Sequence, residues 1–316
     1  NNAINLLFSP VVGHPLLLRI IVHTMTGYSL IYGNDDASQT TNTKTLINSF
    51  FTPDFALFIA VYYLLYLVTA SAISAIAVIK FKVNYTNITT DQLYREIKLT
   101  IEGYTTFTMC YWIILQFVNS WRHDYSDFKD ITMTYIGNGF IFNAWFYANH
   151  RLWHSNRFLF RYVHSHHHKS VIVCPLTALS NAWTESVIVA IGYFIGPYFF
   201  GLSNVWGWYL FVVSILFEAI LGHSRIPFTL EHATHHAAVV KNYGFYSAYL
   251  TRFNWDKLFG TWSYNEDVPR MGKLYGKEQL SYKWNDEESK VNWEVLEEKD
   301  EILEEKDEIL EEKDEI

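Results

Sequence analysis

Cysteine is nearly absent from this chain. Cys110 lies inside an apolar run and Cys174 beside Pro175, so neither a disulfide framework nor a thiolate metal site is available. Charge is missing from residues 55–79, a stretch longer than the ~20 residues needed to cross the hydrocarbon of a bilayer. A real charge imbalance is missing as well. The formal net charge of −8 is a property of residues 294–316, which hold ten Glu, three Asp and three Lys and leave the rest of the chain at +2. The acidic balance therefore says nothing about partners of the body. What remains is half hydrophobic and 18% aromatic, which is the composition of a membrane protein.

Histidine is what the sequence has instead. Of its thirteen, nine fall in three tight clusters, HRLWH at 150–154, HSHHH at 164–168 and HATHH at 232–236. A lone histidine is usually a satisfied core or surface residue, but repeated geometry is not expected of such residues. At about 100° per helical residue, His150 and His154 share a face. His164, His167 and His168 fall within an arc of about 100°, and His232, His235 and His236 repeat that arc, whereas His166 points away and is not read as a ligand. Neutral imidazole suits iron, zinc, copper or nickel. Eight such donors exceed the four to six positions of one ion, so two ions are expected. The Glu-x-x-His pair of the soluble di-iron bundles does not occur near these clusters. A redox-inert zinc would need fewer ligands.

The pattern along the chain predicts an all-α integral membrane bundle of about four to six spans. Residues 54–79 make the most secure span, and 101–118, 131–149, 184–200 and 205–221 are further candidates, the last two joined as a hairpin through 201–204. Residues 15–33 carry Arg19, His23 and Gly27 and suit a poor span or an interfacial helix equally. Loop 80–98 holds four cations and loop 119–130 two cations against three aspartates. The positive-inside rule then puts all three clusters on the cytoplasmic side, in a helical cap, and His123 on the opposite one. The sequons at Asn84 and Asn87 are accordingly expected to be unused. Three units are read: residues 1–53, an apolar segment and polar connector; 54–262, the membrane domain; and 263–316, a hydrophilic extension. It ends in a seven-residue repeat, EILEEKD, whose apolar stripe is too narrow for a coiled-coil seam. That tail reads as a solvated helix or as a docking element.

The stretch NHRLWHSNRFLFRYVHSHHH resembles the first two boxes of the fatty acid hydroxylase/sterol desaturase superfamily of integral membrane di-iron oxygenases, HxxxH followed by HxxHH. HATHH resembles the last box, and NYGFYSAYLTRFNWDKLFGTW the sequel that follows it, so the likeness covers residues 131–262. It implies a ninth ligand, His223 in GHSRIP, beside His150, His154, His164, His167, His168, His232, His235 and His236. Eight residues separate His223 from His232, fewer than the family pattern leads one to expect, and Pro227 forbids one continuous helix across them.

The resemblance further implies two iron ions, which zinc can replace in a purified sample, and electrons from NAD(P)H through a reductase and a cytochrome b5-type donor. The activity implied is O2-dependent hydroxylation or desaturation of a sterol or fatty-acyl lipid. No protein acid or base is assigned beyond the ligands. Glu185, Glu231 and Asp256 lie near the boxes and are candidates to orient imidazoles by accepting their second N–H. The endoplasmic reticulum, with the metal site facing the cytoplasm, is the expected location, and the mitochondrial inner membrane the alternative. Nucleic acid is not an expected partner. A second reading of a different class is a metal-binding family member retained as a structural subunit of a larger membrane complex, docked through the tail.

Overall fold

The computed structural model describes residues 48–116, 121–170, 172–238, 241–244 and 254–263. The segments at 15–33 and 294–316 discussed above lie outside them. Every regular element among the described residues is helical, apart from one isolated bridge between Arg122 and Asn204.

Five long helices form the body. Helix α1, Pro53–Phe81, starts where Thr52 accepts the Phe55 N–H and Pro53 occupies the first turn, and it ends at Lys82 in a left-handed conformation. Helix α2, Thr90–Leu115, is capped by Thr89. It starts well before the apolar stretch at 101–118, because its first half is a polar helical extension carrying Asp91, Arg95, Glu96 and Lys98. Helix α3, Phe128–Ser155, is capped by Asp127 and carries the first histidine pair near its C-terminal end. After it come α4, Arg157–Leu159, a π-helical turn, Phe160–His164, and α5, Ser165–His168. A 3-10 turn, Pro175–Thr177, leads to the hairpin of α6, Trp183–Phe200, and α7, Val205–Gly222. The hairpin turn is the one read from residues 201–204, with Gly201 at φ 65 in the left-handed region that glycine tolerates.

Helices α1 and α7 are long and apolar enough to cross a membrane; α2, α3 and α6 are helices at the other expected positions but carry more polar residues. Helix α3 is the axis of the bundle, with α7 and α6 packed along it and α2 against α6. Trp112, Trp208, Tyr104, Tyr111 and Phe142 fill the centre. The stack of Tyr111 on Trp208 at 5.2 Å joins α2 to α7. At the far end of α3, Arg122 donates two hydrogen bonds of 2.8 Å to Asp130, and Asn204 donates to the same carboxylate, fastening the hairpin tip to the start of α3. His123 belongs to this end. His150 lies about 33 Å along the axis from the start of α3 at 1.5 Å per residue, so His123 is remote from the clustered histidines.

Beyond α7 the chain reverses sharply. His223 closes the helix, Arg225 adopts φ 57, and Pro227 opens a 3-10 turn, Pro227–Thr229, before α8, Leu230–Ala238. Proline breaks the helix here as its missing N–H requires. The break folds α8 back against α7 so closely that a Cβ on Gly222 would stand 3.4 Å from His232. A last short helix, α9, Trp255–Phe259, packs on α3.

Candidate metal centre

Nine histidines from α3, the π-helical turn, α5, the end of α7 and α8 meet at one end of the bundle. They sort into two groups, His150, His154, His164, His168 and His235 in one, and His167, His223, His232 and His236 in the other. Within each group the ligand nitrogens lie within 4.8 Å of one another. His166 and His123 belong to neither.

The spacing inside the groups tests whether a metal fits. In the first, Nε2 to Nε2 distances are 2.9 Å for His150 and His164, 3.0 Å for His164 and His168, and 3.1 Å from His168 to both His154 and His235. In the second, His236 Nε2 lies 3.0 Å from His167 and 3.2 Å from His232, and His167 lies 3.4 Å from His232. Two nitrogens bound at about 2.1 Å to one ion stand about 3.0 Å apart at right angles and about 3.4 Å apart at the tetrahedral angle. The imidazoles are spaced as ligands of a shared ion.

Tautomers point the same way. His150 Nδ1 donates to the Tyr243 carbonyl at 2.7 Å, His235 Nδ1 to the Lys241 carbonyl at 2.6 Å and His223 Nδ1 to the Ala219 carbonyl at 2.8 Å. A carbonyl only accepts, so each of these Nδ1 atoms carries the hydrogen and each Nε2 presents a lone pair. Lone pairs converging at 3 Å repel unless a cation sits between them. Burial also holds these rings neutral, lowering His235 and His223 to about 4. His164, His167, His168, His232 and His236 are likewise held well below the usual histidine value, in each case chiefly by burial.

The local fold explains how one short stretch serves two groups. A π-helical turn widens the chain at Phe160–His164, and the Ser165 N–H reaches back to the Phe160 carbonyl. His164 and His168 then share the first group while His167 faces the second, so the expected common arc of box two is divided rather than shared.

The three carboxylates singled out in the sequence take different positions. Glu185 Oε2 lies 3.0 Å from His164 Nδ1 with both groups almost fully buried, within reach of the ring but not aligned with it as a hydrogen bond. Asp256 touches no imidazole, which corrects its expected role. Its carboxylate accepts the N–H groups of Tyr243 and Gly244 at 2.7 and 2.6 Å and the Thr261 hydroxyl at 2.7 Å, and it acts on the site only through the Tyr243 carbonyl that holds His150. Glu231 is corrected too. Burial pushes its carboxyl up to about 7, and Oε2 has no hydrogen-bond partner and reaches no histidine. Sequence reasoning did not reach the carbonyls of Tyr243, Lys241 and Ala219, since a backbone carbonyl leaves no residue-type signal.

A cavity opens beside both groups, toward the bundle core. His150, His164, His167, His223 and His232 form one wall, and Phe107, Phe142, Phe146, Val189, Ile215 and Leu216 form the apolar side. Glu218, which the sequence reading passed over, also lines it. A single carboxylate in the otherwise uncharged α7 was the signal available for it.

Comparison with known proteins gives the following likenesses. Residues 135–261 match the fatty acid hydroxylase family model. Methylsterol monooxygenase 1 of Gallus gallus is 30% identical over 141 residues, 40% of this chain and 45% of that protein. Very-long-chain aldehyde decarbonylase GL1-9 of Oryza sativa subsp. indica is 25% identical over 134 residues, 38% of this chain and 51% of that protein. Sphinganine C4-monooxygenase 2 of Arabidopsis thaliana is 25% identical over 135 residues, 39% of this chain and 51% of that protein. The chain thus spans about half the length of the curated relatives it matches. No solved structure matches it.

Proposed function

We propose, from the premise that the chain belongs to the fatty acid hydroxylase/sterol desaturase superfamily through residues 135–261, that it is an O2-dependent di-iron lipid oxidoreductase of the membrane. It hydroxylates or desaturates an unactivated C–H position of a sterol or fatty-acyl lipid. The observation that carries this reading is the pair of adjoining groups of neutral imidazoles opening on an apolar cavity.

The first group, His150, His154, His164, His168 and His235, would hold one iron, and the second, His167, His223, His232 and His236, the other. Bound iron supplies the redox chemistry that activates O2 and attacks an unreactive C–H bond. The chain supplies the rest. The carbonyls of Tyr243, Lys241 and Ala219 keep Nδ1 protonated and fix ring orientation, and Glu185, 3.0 Å from His164 Nδ1, would do the same for that ring after a small rotation. Phe107, Phe142, Phe146 and Ile215 exclude water from the lipid chain and confine it against the histidine wall.

Helices α1 and α7 hold the chain in the bilayer, where both O2 and lipid are concentrated, with the histidine end on the cytoplasmic side of the endoplasmic reticulum. Arg151, Arg157, Arg161 and Lys169 are exposed around the boxes and present a cationic surface to an acidic cytochrome b5-type donor fed by NAD(P)H and a reductase.

The test is lipid profiling by mass spectrometry of cells with the gene, without it, and with a His164→Ala version, beside iron analysis of the purified chain. The expected result is a lipid product that disappears both without the gene and with His164→Ala. A mutant that restores the profile as well as the original chain overturns the reading.

A further inference from the structure

Two carboxyls of the cavity lining engage neither histidine group, Glu231 at the start of α8 and, on α7 within the bundle, Glu218. Glu218 lies on α7 five residues before His223, about 7.5 Å along the helix axis. It is nine-tenths buried, it lines the cavity near Tyr193, Ile215 and Ala219, and its Oε2 accepts no hydrogen bond. No ion pair among the described residues reaches it.

An unmade hydrogen bond on a buried carboxyl is destabilising, and in a cavity wall the economical explanation is a ligand that makes it. In either protonation state a carboxyl presents an acceptor oxygen. Phe107, Phe142, Phe146, Val189, Ile215 and Leu216 make most of that side apolar, so an occupant long enough to fill it has one polar end to anchor.

We propose that Glu218 is a specificity-determining residue that anchors the polar end of the lipid by accepting a hydrogen bond from its hydroxyl or N–H. This rests on the lipid-oxidation reading above and narrows it. The substrate then carries an O–H or N–H donor at that end.

The experiment measures lipid binding, not turnover, on the metal-loaded full chain in detergent. Thermal-shift titrations compare cholesterol with 5-cholestene, which lacks the hydroxyl, and 1-octadecanol with octadecanal. The chain is expected to bind the hydroxylated member of at least one pair about tenfold more tightly than its partner, the scale of one buried hydrogen bond. Glu218→Leu is expected to erase that preference while leaving the affinity for the donor-free lipid in place. Glu218→Gln, which keeps an acceptor oxygen and nearly the same shape, retains part of it. Metal content and melting temperature of both variants report whether they fold. If Glu218→Leu keeps the full preference, or the unaltered chain binds without any preference, the role of Glu218 is overturned and the oxidation reading stands. If none of the four lipids binds, both fall.

Discussion

His235 and His236 are consecutive in α8, yet they face different partners: His235 Nε2 lies 3.1 Å from His168 and His236 Nε2 lies 3.0 Å from His167. The same division runs through His167 and His168, which are also consecutive. Each HxxHH box therefore gives two imidazoles to one group and one to the other, in opposite senses, and the two groups share both elements. A displacement of α8 disturbs both groups together.

Single substitutions separate the groups. His235→Ala removes a donor from the group of five and His236→Ala one from the group of four. Iron per chain, measured by mass spectrometry, is expected to fall from about two toward one in each variant. Loss of no iron in both variants would show that these rings are not ligands.

Glu185 stands beside His164, and its expected role is to orient that ring. Glu185→Ala removes the carboxylate 3.0 Å from His164 Nδ1 and is expected to weaken metal binding about 10- to 100-fold, read by competition with a chelator. Glu185→Gln keeps an acceptor oxygen and is expected to lose less. Equal losses in the two variants would point to packing in place of ring orientation.

Acid is expected to destabilise the metal-free chain. His223 and His235 are lowered to about 4 by burial, against an ordinary value near 6.5, so below 6.5 the unfolded chain binds protons that the folded one refuses. Stability is fully present above about pH 7 and falls as pH drops from about 6.5 toward 4, by up to roughly 3 kcal/mol for each of the two rings. Melting temperatures in detergent at pH 7.5 and 5.5 check the sign, and bound iron should be retained less well at the lower pH because ligation also needs neutral imidazole. A melting temperature that rises on acidification would contradict the burial argument.

Asp256 and Gly244 form one device. A Cβ at Gly244 would stand 2.6 Å from Asp256 Oδ2, so Gly244→Ala must push the carboxylate off the Tyr243 and Gly244 N–H groups. Gly244→Ala and Asp256→Ala are each expected to cost about 2–4 kcal/mol, since two backbone donors lose their acceptor. The double variant should cost little more than either alone. Additive losses in melting temperature would show the two residues to be independent.

Much of this was legible from residue type and spacing. The apolar stretch of α1, the hairpin between α6 and α7, the break at Pro227 and the three histidine boxes follow from local rules of charge, turn chemistry and helical period. The π-helical turn before His164 was not, because a widened turn is selected by what packs around it. Nor was the true start of α2, where charged residues prolong a helix that hydropathy alone begins later.

The sequence by itself determined that these imidazoles stand on helical elements at the end of an apolar bundle, because periodicity and hydrophobicity act over one or two turns of chain. Which nitrogen faces which group, which carbonyl holds each ring, and that Asp256 works through Tyr243 while Glu185 touches His164 directly were decided only when α3, α5, α7 and α8 packed together. Those relations join residues up to 93 positions apart, and no local preference of the chain encodes a distance between them.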